Sequence, residues 1–439
     1  VSPAIALPPI HRATLDGGLR VVVAQRKGVP LAAARLVLAG GSSLDPDGRS
    51  GLAHLAALLV RRGTRSRTGA ELDLAIESIG AELGAGVDED ATYAGLSAPV
   101  EVLPRCLDVL ADVVRRPTFP QREVDRLRRR EVAALAHDLD EPGTIADRAM
   151  LGAVYGRHPY GHPPEGRVRD LRAVRRDDLV RFHAGNYRPS AALLVVVGAI
   201  EAGRVHDLVR RRFGGWDGAE RPVPPPAAPS APGTAVLVVD KPELTQAQLR
   251  IASLGFPRVS PDYHAGVVAS AVLGGGFTSR LMEAIRVNRG LSYGVRSRFA
   301  TSRAGGLFFV SSFTKIETTA ELVQVALDEI ARFRAEGPGE EELARMKAYL
   351  CGLYPLSLET HDQVAEKIAD LEVNGLPEDE VTGFREKVQA VTSDACRAVA
   401  RRYFPGEARV VVAVGPARAI AGPLERFGPV KVIPARKIV

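Results

Sequence analysis

The chain has 439 residues, of which 46% are apolar and 25% charged, proportions that exclude a disordered or fibrous protein. A single core does not grow to that length, so at least two domains of about 200 residues each are expected. The net charge of +6 arises from arginines scattered among Asp and Glu, and the densest cluster, Arg126-Leu-Arg-Arg-Arg130, has no aromatic stacking platform, which argues against nucleic-acid binding.

No leader peptide is legible, although the chain opens on Val1 rather than Met, which leaves room for one already removed. Residues 19–25 and 31–38, rich in Val and Ala, are predicted strands. The turn residues Asp45-Pro-Asp-Gly48 then lead into helical patterns over 51–60 and 69–79. Residues 91–99 alternate as a strand and 100–115 follow as a helix. Helices are predicted over 123–139 and 144–155, broken at Pro142-Gly143, with a short one over 176–183. Residues 193–198 close the sheet. The longest apolar stretch, 191–200, is about half of a membrane span.

Residues 219–234 read AERPVPPPAAPSAPGT, an extended Pro/Ala-rich linker that splits the chain into domains 1–218 and 235–439. The two halves resemble each other. Glu123-Val-Asp-Arg-Leu127 lines up with Glu342-Leu-Ala-Arg-Met346 at an offset of 219 (346 − 127), and the same offset carries Gly156 onto Gly375. Tyr187-Arg-Pro189 and Tyr403-Phe-Pro405 each precede a Val-rich strand ending in Gly. A duplicated domain is expected, not a solenoid, whose periods are far shorter. Strands and helices without strict β-α-β alternation point to an α+β fold: two homologous domains, each a mixed, mostly antiparallel sheet packed with helices. Cys106, Cys351 and Cys396 are odd in number and lack C-x-x-C spacing, so buried free thiols are expected.

The helix over 51–60 carries His54-Leu-Ala-Ala57-Leu58. Two histidines at i and i+4 share a helix face and can grip one Zn²⁺, while a glutamate between them takes a proton from metal-bound water. The frame resembles the zinc helix of the pitrilysin/insulinase peptidases, whose signature is H-x-x-E-H. His54 is kept, Ala57 replaces the general base and Leu58 replaces the second histidine. The resemblance also implies a glutamate ligand on a later helix. Aligned on Asp140-Glu-Pro142, that position falls on Ala134, 76 residues beyond Leu58 (134 − 58), with Glu131 one turn away. The zinc motif is thus degenerate at Ala57, Leu58 and Ala134. No metal site and no cofactor are expected in this chain, and His54 reads as a packed or partly exposed helix histidine.

The duplicated halves, the proline-bearing linker and Tyr187-Arg-Pro-Ser-Ala-Ala-Leu-Leu-Val-Val-Val-Gly198 are similar to the bacterial short-chain, processing-peptidase-like branch of that family. In that branch a working peptidase is a clamshell of two chains around a chamber, so this chain would form one half. Arg286-Val-Asn-Arg-Gly-Leu-Ser-Tyr293 resembles the family's second signature, an Arg and a Tyr seven residues apart (293 − 286). The resemblance implies that Tyr293 hydrogen-bonds a developing oxyanion and that Arg286 holds backbone carbonyls of a peptide. Leu273-Gly-Gly-Gly-Phe-Thr-Ser-Arg-Leu281 lacks the lysine of a phosphate loop and reads as a turn and helix start. His158-Pro-Tyr-Gly-His162 reads as a structural loop, and residues 307–313 as either an edge strand able to pair with a peptide or an interior one.

One expectation joins these features: a non-catalytic, substrate-binding subunit of a heterodimeric zinc metallopeptidase. A homologous partner with an intact H-x-x-E-H would hold the zinc and the base, and the substrate would be a peptide or unfolded polypeptide. The alternative is a structural or binding protein in the peptidase fold. A third reading, an enzyme with another site, finds no Ser/His/Asp or Cys/His arrangement to stand on. A soluble protein of the bacterial cytoplasm or periplasm suits each reading, with neither nucleic acid nor a membrane span.

Overall fold

The computed structural model describes residues 5–218 and 223–438, so the first four residues of the expected linker, 219–222, lie outside the described residues. Two compact units emerge. The first comprises residues 1–133, 163–225 and 354–383, and the second 134–162, 226–353 and 384–439. The expected cut at the linker would give contiguous halves, whereas each unit here takes in a segment from the other half. Among the described residues no helix is long and apolar enough to cross a membrane.

The first unit is built on β1 (Ile10–Thr14), β2 (Arg20–Gln25), β3 (Leu31–Ala39), β4 (Glu82–Val87), β5 (Ala91–Pro99) and β6 (Ala192–Gly198). Their order is β1-β2-β6-β3-β5-β4, and only β2 and β6 run parallel. β6 is buried along its whole length, as its unbroken Leu/Val run requires for a central strand covered on both faces. β1 and β4 are absent from the sequence expectation. One is a polar edge strand, Ile-His-Arg-Ala-Thr, and the other carries two glycines, so neither shows a clean apolar period.

The second unit repeats the plan with β7 (Ala235–Asp240), β8 (Gln246–Leu254), β9 (Val295–Thr301), β10 (Gly306–Lys315), β11 (Val410–Gly415) and β12 (Val430–Pro434). The order β12-β7-β11-β8-β10-β9 matches the first sheet strand for strand, apart from the outermost position. There β1 pairs antiparallel with β2, while β12 pairs parallel with β7. Two mixed, mostly antiparallel sheets clad in helices establish the expected α+β duplication. Residues 307–313 lie within β10, hydrogen-bonded to β8 on one side and β9 on the other, so the interior alternative holds and β9 is the edge.

The exchanged segments are equivalent helices, Pro142–Tyr155 and His361–Asn374. Val364, Ala365, Ile368 and Ala369 of the latter close a cluster with Val22, Val37, Leu193 and Val195 in the first unit. In the second unit Ile145, Ala146, Ala149 and Met150 meet Val239, Ala252, Phe309 and Val412. There the buried Arg250 also grips the helix, through Asp147 Oδ1 at 2.6 Å and Gly143 O at 3.1 Å. Pro142, expected in a break, instead opens its helix, where a missing N–H costs nothing. Ile368 is fully buried, so Ile368→Ala should lower unfolding stability by about 2–5 kcal/mol, measured by denaturant titration.

Candidate functional site

The helix Leu52–Leu59 begins at Gly51, whose φ of +89° only glycine adopts cheaply. A Cβ there would also stand 2.6 Å from Glu165 O. Asp45 caps this start, accepting the Gly51 and Ala53 N–H groups at 2.7 Å each. Burial pushes the Asp45 carboxyl up to about 7, against the pull of those two donors and of nearby His54.

From this helix His54 reaches the helix Gln121–His137, where its Nε2 lies 3.2 Å from Glu131 Oε2. The other carboxylate oxygen accepts from Arg130 Nε and Nη2 at 3.0 and 2.8 Å. The His54 hydrogen bond, followed by Arg130, holds the Glu131 carboxyl below its ordinary 4.5 despite partial burial. An ionised carboxylate only accepts, so in this contact His54 Nε2 is the donor. Ala57 is buried, Leu58 is half-buried in the second-histidine position, and Ala134 is exposed one turn beyond Glu131. The residues present therefore do not fit a tetrahedral zinc site. Among the described residues no group of three or more His, Cys, Asp or Glu is placed to hold a metal ion.

The His54–Glu131 pair gives a signed pH effect. With its folded value below the unfolded one, Glu131 contributes stability that is fully present above about 4.5 and is lost as pH falls through the folded value. Glu131→Gln should therefore make the acid limb of a stability–pH curve shallower, as read by thermal melts between neutral and acid pH.

In the second unit, Arg286 lies on the short π-helix Met282–Val287, and Gly290 at φ +61° turns the chain back toward Tyr293. Thr314 Oγ1 donates to Leu291 O at 2.6 Å, and Ser312 Oγ donates to Gly294 O at 2.9 Å, fastening this turn to β10. The Arg286 guanidinium stands 4.4 Å from the Tyr293 ring centroid and 5.5 Å from that of Phe277. Both rings are exposed, Tyr293 at 76% and Phe277 at 77%. Among the described residues neither the guanidinium nor the Tyr293 hydroxyl has a hydrogen-bond or ion-pair partner. Two π-faces thus hold a cation whose N–H donors remain open to a ligand.

The sequence pair Arg286/Tyr293 is brought together. Of the degenerate zinc positions, His54 contacts Glu131, while Ala57, Leu58 and Ala134 take no part in that contact. Two contacts escaped the sequence reading. Phe277 looked like part of a glycine turn, and Glu131 seemed one turn off, although its 77-residue separation from His54 (131 − 54) was available as a signal. His158-Pro-Tyr-Gly-His162 is structural in form: Tyr160 is buried and its hydroxyl accepts the Ala304 N–H, while His158 Nε2 meets Ala227 O at 2.7 Å. Cys106 and Cys396 are buried, with thiols that burial pushes up to about 11 and about 12, whereas Cys351 is only half-buried.

Residues 20–163 match the model of Insulinase (Peptidase family M16), and residues 173–350 match the Peptidase M16 inactive domain. An uncharacterized zinc protease of Streptomyces coelicolor is 26% identical over 421 residues, covering 95% of this chain and 90% of that protein. The human mitochondrial-processing peptidase subunit beta is 23% identical over 428 residues, covering 94% of this chain and 86% of that protein. A Pseudomonas fluorescens crystal structure described as a peptidase M16 inactive domain superposes with a TM-score of 0.87 at 26% identity, covering 93% of this chain and 98% of that one.

Proposed function

This chain belongs to the insulinase-type M16 peptidase family, and on that premise we propose that it is the non-catalytic, substrate-binding subunit of a heterodimeric zinc peptidase. The observation that carries the reading is the contrast between the two clusters. His54 is paired with Glu131, and Ala57 and Leu58 offer neither the carboxylate of a general base nor a second imidazole, which supports a non-catalytic reading. By contrast, the half-buried Arg286 is held against the exposed Tyr293 ring, and neither its guanidinium nor the Tyr293 hydroxyl has a hydrogen-bond or ion-pair partner among the described residues. A guanidinium so presented can hold peptide carbonyls, and a phenol so presented can donate to the oxyanion of an attacked carbonyl. The zinc-bearing homologous partner, with its own H-x-x-E-H, would supply the metal-bound water and base. The β subunit of the human processing peptidase, named as one subunit among others, lends support to a two-chain arrangement.

The test is reconstitution. Purified alone, the chain should leave a quenched-fluorescence peptide uncut. Mixed with a homologous chain from the same organism bearing H-x-x-E-H, it should form a complex whose chelator-sensitive cleavage exceeds that of either chain. Chelator-sensitive cleavage by the lone chain would overturn the proposal, and so would a mixture no more active than the partner alone.

A further inference from the structure

The first unit carries a charged feature unrelated to either cluster. A cleft of about 750 Å³ opens beside the segment 62–71 and is bordered by Arg65 and Arg122. A second, of about 360 Å³, shares Ser66 and Arg67 with it and is bordered by Arg116 and Arg211. The ridge between them is rigid. Buried Asp112 accepts from Thr64 Oγ1 at 2.8 Å, Ser66 Oγ at 2.6 Å and Arg67 Nη1 at 3.1 Å.

Several cations in and beside these clefts are already paired. Asp73 holds Arg61 and Arg62, Glu123 holds Arg126, and Asp108 holds Arg212. Arg65, Arg116, Arg122 and Arg211 differ: all four are exposed, and none has an ion-pair partner among the described residues. The excess positive field is felt locally, since burial and then the adjacent Arg116 charge hold the Arg115 guanidinium below its usual value.

We propose that this face, from Arg65 and Arg122 across to Arg116 and Arg211, docks an acidic polypeptide segment. Guanidinium forks match carboxylates in bidentate geometry. No aromatic side chain lines either cleft, so single-stranded nucleic acid has nothing on which to stack. The interspersed carboxylates Glu71, Asp73 and Glu123 would repel the contiguous charge of a phosphate chain. An extended peptide with acidic residues at alternate positions spaces its charges about 7 Å apart and can straddle them.

Fluorescence anisotropy of the full chain with a labelled alternating Glu-Ser peptide tests this. Binding should be saturable and weaken as salt rises, and the Lys-Ser counterpart should not bind. Replacing Arg65, Arg116, Arg122 and Arg211 together by Ser should weaken binding about tenfold or more. Replacing four exposed arginines elsewhere on this unit, Arg129, Arg169, Arg172 and Arg204, should leave it within about twofold. The four single Arg→Ser variants, read separately, carry the same test should the fourfold variant fail to fold. Absence of peptide binding, equal losses in both variant sets, or tighter binding of tripolyphosphate or an oligonucleotide would each overturn the proposal. None of these outcomes bears on peptide cleavage by a reconstituted pair.

Discussion

Leu58→His should turn a chain that retains no zinc after dialysis into one that retains about one zinc per chain. The new imidazole would sit at i+4 from His54 on the same face of the Leu52–Leu59 helix, and Glu131 already approaches His54 at 3.2 Å. A metal would have to displace the proton from His54 Nε2, so retention should strengthen as pH rises. Adding Glu131→Gln should abolish it. The sequence alignment instead assigns the third ligand to position 134, and the two assignments separate cleanly. If Leu58→His binds nothing until Ala134→Glu is added, the His54–Glu131 contact is not the relevant geometry. Elemental analysis of dialysed protein reads each outcome. Peptide cleavage need not return with the metal, because Ala57 still lacks a carboxylate and activity also depends on outer hydrogen bonds that orient the ligands.

In the reconstituted pair, Tyr293→Phe should lower kcat by about 10²–10³-fold, the usual scale for losing one oxyanion donor. The substitution is clean because the ring remains, and with it the 4.4 Å stacking that holds Arg286. Arg286→Ala should act mainly on KM, since a guanidinium gripping peptide carbonyls binds ground state and transition state about equally. Steady-state kinetics on complexes verified as assembled would distinguish the two. Should both variants cut as fast as wild type, the Arg/Tyr pair is only architectural and the scaffold alternative takes over.

The strands that the sequence made legible are those whose burial is uniform or regularly alternating. β6 and β5 read directly from Val/Leu runs and period-two alternation, because such patterns report burial on the strand's own faces. β1 and β4 left no such signal. Both are edge strands whose pairing is specified by their neighbours more than by their own side chains. At the candidate site, residue type alone already told that Ala57 and Leu58 carry no carboxylate or imidazole, and the seven-residue spacing singled out Arg286 and Tyr293, whose side chains do meet.

What the sequence determined by itself, then, was the duplication and the α+β class, since each is a matter of which side chains exist and at what period. Tertiary structure alone decided which helix covers which sheet. Residues 142–155 and 361–374 are amphipathic on either account, and only three-dimensional complementarity assigns each to the other half's strands. It also decided that Glu131 is the residue meeting His54, and that Phe277 completes the grip on Arg286. Contacts across such separations leave no periodic trace in the chain, because they depend on how packed elements meet and not on any one element's own pattern.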